Sequence, residues 1–123
     1  MKKVLSLVLI SIVFLSLTAC KPKEMTTDTY KLIKQALSLM EDYHAGKITS
    51  EEVDGPLESI SARLDAIALR DKGKIRGSQY ALQNDWYADT ASMYIDHFIM
   101  YKNTSIFNHD TYKPMESLKG LLD

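Results

Sequence analysis

From Tyr30 to Leu122 the apolar residues of this chain return every three or four positions, the spacing that an α-helix gathers onto one face. Tyr30, Ile33, Leu37 and Met40 mark a first helix, flanked by Leu32, Ala36, Leu39 and Tyr43. Thr27 or Asp28 can cap its start, because a short oxygen-bearing side chain accepts from N–H groups that have no partner inside the helix. Gly46 stands where a left-handed residue closes a helix. The run Ile48-Thr49-Ser50-Glu51-Glu52-Val53 then offers a capping box, Thr49 with Glu52, and an apolar staple between Ile48 and Val53. Gly55-Pro56 is expected to limit that turn, since proline lacks a donor and clashes with the turn before it. A second helix is therefore predicted to start near Pro56, where proline is well tolerated, to present Leu57, Ile60, Leu64 and Ile67, and to end at Gly73. Ser78 caps a third helix, the longest, which runs to about Asn103. A polar loop reaches Asp110, and a short fourth helix, roughly Tyr112 to Leu122, brings Met115, Leu118, Leu121 and Leu122. The chain has no alternating β-branched run, hairpin dipeptide, internal repeat or low-complexity segment. Short connections between amphipathic helices favour antiparallel neighbours, which predicts an all-α fold: a small antiparallel bundle of three long helices plus a short C-terminal fourth.

The first twenty residues follow a different rule. Lys2 and Lys3 precede an apolar stretch from Val4 to Leu17, broken only by serines, and small residues lead to Cys20. That is the layout of a secretory signal peptide. The competing structure is a membrane-spanning anchor, but fourteen residues rising about 1.5 Å each reach only ~21 Å. A bilayer core is about 30 Å thick. The run Leu17-Thr18-Ala19-Cys20 resembles the lipobox of bacterial lipoproteins, a resemblance confined to residues 1–20. It implies that residues 1–19 are cleaved, that the Cys20 thiol carries the lipid (palmitate or a similar chain), and that Cys20 becomes the new N-terminus. It also implies a location at the bacterial cell membrane or envelope, outside the cytoplasm. Lys21 is not the aspartate that resembles an inner-membrane retention signal.

Cleavage would leave residues 20–123: lipidated Cys20 and a short tether over 20–28, then a single helical domain over 29–123. The eight residues 21–28 reach at most ~28 Å when extended, so the domain is expected close to the membrane. Cys20 is the only cysteine, so with lipid on it the fold rests on packing, without disulfide, thiolate metal site or cysteine nucleophile. Lys2 and Lys3 leave with the signal, and 13 basic side chains then face 16 acidic ones. That balance argues against a generally cationic, nucleic-acid-binding surface.

Four features invite a functional reading. Tyr80, Tyr87, Tyr94 and Tyr101 recur every seven residues along the third helix, with Ala91 and Phe98 on the same stripe and Trp86, Met93 and Met100 beside it. The stripe is either the seam of the bundle, each phenol reaching water at its edge, or a ladder of rings presented to a partner. Arg70, Lys72, Lys74 and Arg76 form a basic cluster that the up-down topology returns to the bilayer beside Lys21 and Lys23. Those cations either contact an anionic membrane surface or complement a helix dipole. Residues 46–55 and 103–111 form loops at the far end, where Ile106 and Phe107 either plug the bundle or stand exposed as an anchor for a partner. Asp89, Met93, His97 and Met100 share one helix face that thioether and imidazole could turn into a soft copper site, although methionine more commonly fills gaps in a bundle core.

None of His44, His97 and His109 pairs with another at helical spacing, and no nucleophile elbow, phosphate-cradling loop or haem-attachment motif is present. No enzyme activity, cofactor or metal is expected. The expected role is that of a small lipid-anchored envelope protein acting as a protein-binding or accessory module, with another envelope or extracellular protein as partner. The alternatives are a carrier of a small apolar ligand, haem or metal between the helices, and self-association through the tyrosine face.

Overall fold

A threonine starts the first helix. In the computed structural model, which describes residues 22, 24–71, 83–104 and 110–123, helix α1 runs Thr27–His44, and Thr26, in extended conformation, caps it. The Thr26 hydroxyl accepts from the Thr29 N–H at 3.4 Å. The cap thus falls one residue before the predicted Thr27. At the other end Gly46 adopts φ +75°. Its N–H donates to the Tyr43 carbonyl at 3.1 Å, and the Lys47 N–H donates to that of Asp42 at 2.9 Å. These two bonds satisfy carbonyls that the helix itself leaves open, and only a residue tolerant of the left-handed region allows both.

Helix α2 runs Ser50–Asp71, unbroken through Pro56. The predicted start near Pro56 is corrected, and residues 50–55 belong to a helix rather than a distal loop. Thr49 is the reason it can begin so early: its hydroxyl accepts from the Glu52 N–H at 3.1 Å and donates to the Glu52 carboxylate at 3.0 Å. Pro56 withholds a donor from the Glu52 carbonyl, a defect of about 3 kcal/mol in a helix interior. Both residues face solvent, so water can serve that carbonyl. Val53 and Leu57, fully buried, then hold the turn from the inner side.

Helix α3 spans Gln83–Asn103 and α4 spans Tyr112–Gly120. Predicted residues Gly73 and Ser78 lie outside the described residues. Among those described there is no strand, and no helix is long and apolar enough to cross a membrane.

Side-chain bonds set the topology. At one end the Thr26 N–H donates to Asn84 Oδ1 at 2.8 Å, and Asn84 Nδ2 donates to Asp71 at 2.7 Å. That one asparagine joins the starts of α1 and α3 to the end of α2. At the opposite end Lys102 of α3 meets Ser50 and Asp54 of α2. Helix α2 therefore runs antiparallel to α3, with α1 parallel to α3, as an up-down-up bundle predicts. The α2–α3 interface is the most extensive, and α4 packs against α3 and α1. One continuous core takes Ile33, Ala36 and Met40 from α1, Val53, Leu57 and Leu64 from α2, Ala88, Ala91, Ile95 and Phe98 from α3, and Leu118 from α4.

Met25 joins that core at 1 % exposure, and its N–H donates to the Pro22 carbonyl at 3.1 Å. The predicted tether thus gives its last residues to the domain. From Cys20 to Met25 an extended chain covers only about 17 Å.

Candidate functional site

Three heptad rows run along α3, and the structure assigns each a different environment. The seam belongs to Asn84, Ala88, Ala91, Ile95 and Phe98, all buried. Tyr87 and Tyr94 flank it, half-buried against the core. Tyr101 is half-buried too, its ring stacked on His97 with centroids 5.9 Å apart. Three residues advance a helix by about 300°, so Tyr94 and Tyr101 stand ~60° round from Ala91 and Phe98, three positions earlier. The stripe that holds Ala91 and Phe98 in the sequence is therefore two rows in space. Tyr80 lies outside the described residues.

The outermost row is the one the sequence placed merely beside the tyrosines. Trp86, Met93 and Met100 are 54 %, 44 % and 51 % exposed. They recur every seven residues and lie opposite the seam, so burial of α3 in the bundle leaves them in solvent. The signal that could have found them, a second heptad step of large apolar residues, was already present in the sequence.

Carboxylates border this row on the α2 side. Asp89 and Asp96 follow Trp86 and Met93 by three positions, and Asp65 of α2 faces them. Together with Ser92, Met93 and His97 these three line an open cleft of about 250 Å³. Its floor is a hydroxyl chain: Ser61 donates to Asp96 Oδ1 at 2.7 Å, and Ser92 to Ser61 at 2.8 Å. Both serines are buried, and the chain leaves each hydroxyl proton with an acceptor. Leu69 of α2 is 73 % exposed, two residues before the Asp71 that meets Asn84. Such an arrangement can hold an apolar segment along the ridge and cations along its flank. Among the described residues no group of three or more histidine, cysteine, aspartate or glutamate side chains is placed to hold a metal ion.

Other predicted positions are dispersed. Arg70 is exposed and pairs with its neighbour Asp71 at 3.0 Å, on the end of the bundle where α1 begins. Lys72, Lys74 and Arg76 lie outside the described residues, as do Cys20, Ile106 and Phe107.

His44, which carried no role in the sequence, ties α4 to the bundle. Its Nε2 meets Thr111 Oγ1 at 2.8 Å, and its ring stacks on Tyr112 with centroids 3.8 Å apart. Tyr43 and Phe98 close the remaining sides. Nδ1 is buried without a hydrogen-bond partner. Burial holds the imidazole below its ordinary 6.5, against the opposing pull of the Asp110 carboxylate. The unfolded chain therefore takes up a proton at higher pH than the folded one. Stability contributed by neutral His44 is complete above pH 6.5 and is lost as the pH falls below 6.5 toward the folded value. In urea titrations across that window, His44→Phe is expected to flatten the loss; an unchanged slope would mean that another group carries it.

No protein-family model, curated protein or solved structure matches the chain.

Proposed function

We propose that the chain is a small lipid-anchored envelope protein that works as a protein-binding module and meets its partner through the outer face of α3. One observation carries this reading: Trp86, Met93 and Met100 stay exposed on a helix whose opposite face is already filled by Ala88, Ala91, Ile95 and Phe98. Tryptophan and methionine give large contact area when a partner covers them. Scattered exposed apolar residues need no explanation, whereas a row of them at one helical spacing does. The half-buried Tyr87, Tyr94 and Tyr101 border the row on its other flank and widen the surface. The lipobox-like Leu17-Thr18-Ala19-Cys20 supports the anchor, and the docking of Met25 keeps that anchor within a short reach of the bundle.

Two measurements in cells test the two halves. A benzophenone amino acid at Met93 is expected to form a discrete cross-linked adduct, and the same group at exposed Glu116 of α4 is not. Equal adducts from both positions, or none from Met93, remove the binding face. Cys20→Ala is expected to move the chain from the membrane pellet to the soluble fraction; unchanged fractionation removes the lipid anchor.

A further inference from the structure

Resting on that reading, we infer that the occupant of the α3 face is a basic amphipathic helix, its apolar stripe seated on Trp86, Met93 and Met100 and its cations on Asp65, Asp89 and Asp96. The spacing is the first argument. Trp86 to Met100 is fourteen residues, about 21 Å of helix axis at 1.5 Å each. A ridge of that length, with side chains two turns apart, is matched by a helix of about four turns bearing apolar residues three and four apart.

Charge is the second argument, and it selects among occupants. Asp85, Asp89 and Asp96 are the carboxylates of α3, and Lys102 is its one ammonium. That ammonium is turned inward onto Ser50 and Asp54, its side chain fully buried. The face is thus apolar along its ridge and anionic along the flank toward α2. An anionic bilayer would be repelled by that flank. A second copy fares no better. Antiparallel pairing on this face sets the Asp89 and Asp96 rows against each other, and parallel pairing sets them against the tyrosine flank. Neither brings a lysine or arginine of α3 to the carboxylates. A partner with lysine or arginine beside its apolar stripe satisfies both halves at once, and because the acids lie on one side only, they also fix its direction.

Trp86 is the only tryptophan, so the face carries its own reporter. The protein isolated from cell membranes is placed in zwitterionic nanodiscs. It is titrated with an 18-residue peptide of leucines at helical spacing among lysines, free of aromatic residues. A saturable blue shift of Trp86 emission that weakens with salt is expected. Asp89→Asn/Asp96→Asn should lower the affinity about tenfold and remove most of the salt dependence, as pairs at a surface rim allow. Met93→Ser should lower it as well, whereas Asp28→Asn/Glu41→Gln on α1, which removes the same charge elsewhere, should not. The peptide with glutamate in place of lysine should give no shift.

Equal binding of the glutamate peptide, equal loss in the α1 variant, or no effect of the α3 variant overturns the basic-helix assignment. So does a blue shift produced by anionic vesicles, or one that grows with protein concentration when no peptide is present. Failure here beside a discrete Met93 adduct in cells means that the face binds a partner of other chemistry. Failure of both means that it is not a binding face.

Discussion

Lys102→Met is expected to destabilise the fold by about 3 kcal/mol, because it removes a buried cation and leaves its acceptors behind. The Lys102 side chain is fully buried. Its Nζ donates to the Ser50 carbonyl at 2.9 Å, to Ser50 Oγ at 2.6 Å and to Asn103 Oδ1 at 2.8 Å. Asp54 Oδ1 stands 2.8 Å away, as an ion pair rather than an aligned hydrogen bond. Asn103 Nδ2 closes the cluster by donating to Asp54 Oδ2 at 3.1 Å, and the Tyr43 ring lies beneath the cation with its centroid at 5.8 Å. The cluster fastens the last turn of α3 to the first turn of α2, the stretch weakened by Pro56. A domain of this size loses roughly 4–8 °C per kcal/mol, so the melting temperature should fall by about 15 °C. Asp54→Leu in the same chain should return part of the loss, since the orphaned carboxylate disappears with its partner. A change below about 0.5 kcal/mol in urea unfolding would show that the cluster holds nothing together.

What the sequence revealed and what it hid divide by range. The end of α1 and the start of α2 are local: Gly46 closes one helix and Thr49 opens the next through bonds between residues three to five apart. Both were legible. Pro56 was misread because its effect is local but its compensation is not. Val53 and Leu57 hold the turn against other helices, and Lys102 reaches it from 52 residues away.

Helix α3 hid its orientation for a different reason. The rows Ala88-Ile95, Tyr87-Tyr94-Tyr101 and Trp86-Met93-Met100 are all apolar, so its own pattern names no inner face. Only the positions of α1, α2 and α4 decide which row is covered. The site consequently appeared in the sequence as tyrosines, and in the structure as the tryptophan and methionines one row further round. His44 was silent for the same cause, since its partners Thr111 and Tyr112 meet it only when α4 folds back.

Phe98→Ala is expected to cost about 3–5 kcal/mol, the range for deleting a fully buried ring. Phe98 is 0 % exposed and among the largest of the buried side chains. Its ring meets Tyr43 edge-on at 5.8 Å and His44 at 5.6 Å, and His44 in turn stacks on Tyr112. The ring is thus the floor on which α1 presents His44 to α4, and a void there removes packing from three helices at once. Two consequences should separate a void from a general loss of structure. Phe98→Leu, which refills most of the volume, should cost only about 1–1.5 kcal/mol. In Phe98→Ala, hydrogen exchange of the α4 amides should rise more than that of the α2 amides, because the start of α4 is held at this corner through the His44 contacts to Thr111 and Tyr112. Two residues along the same helix, Met100 faces solvent, and Met100→Ser should change stability by less than about 0.5 kcal/mol. If Phe98→Ala cost less than about 1 kcal/mol, or Met100→Ser as much as Phe98→Ala, the inward and outward rows of α3 would be assigned wrongly, and the exposed face would lose its claim to a partner.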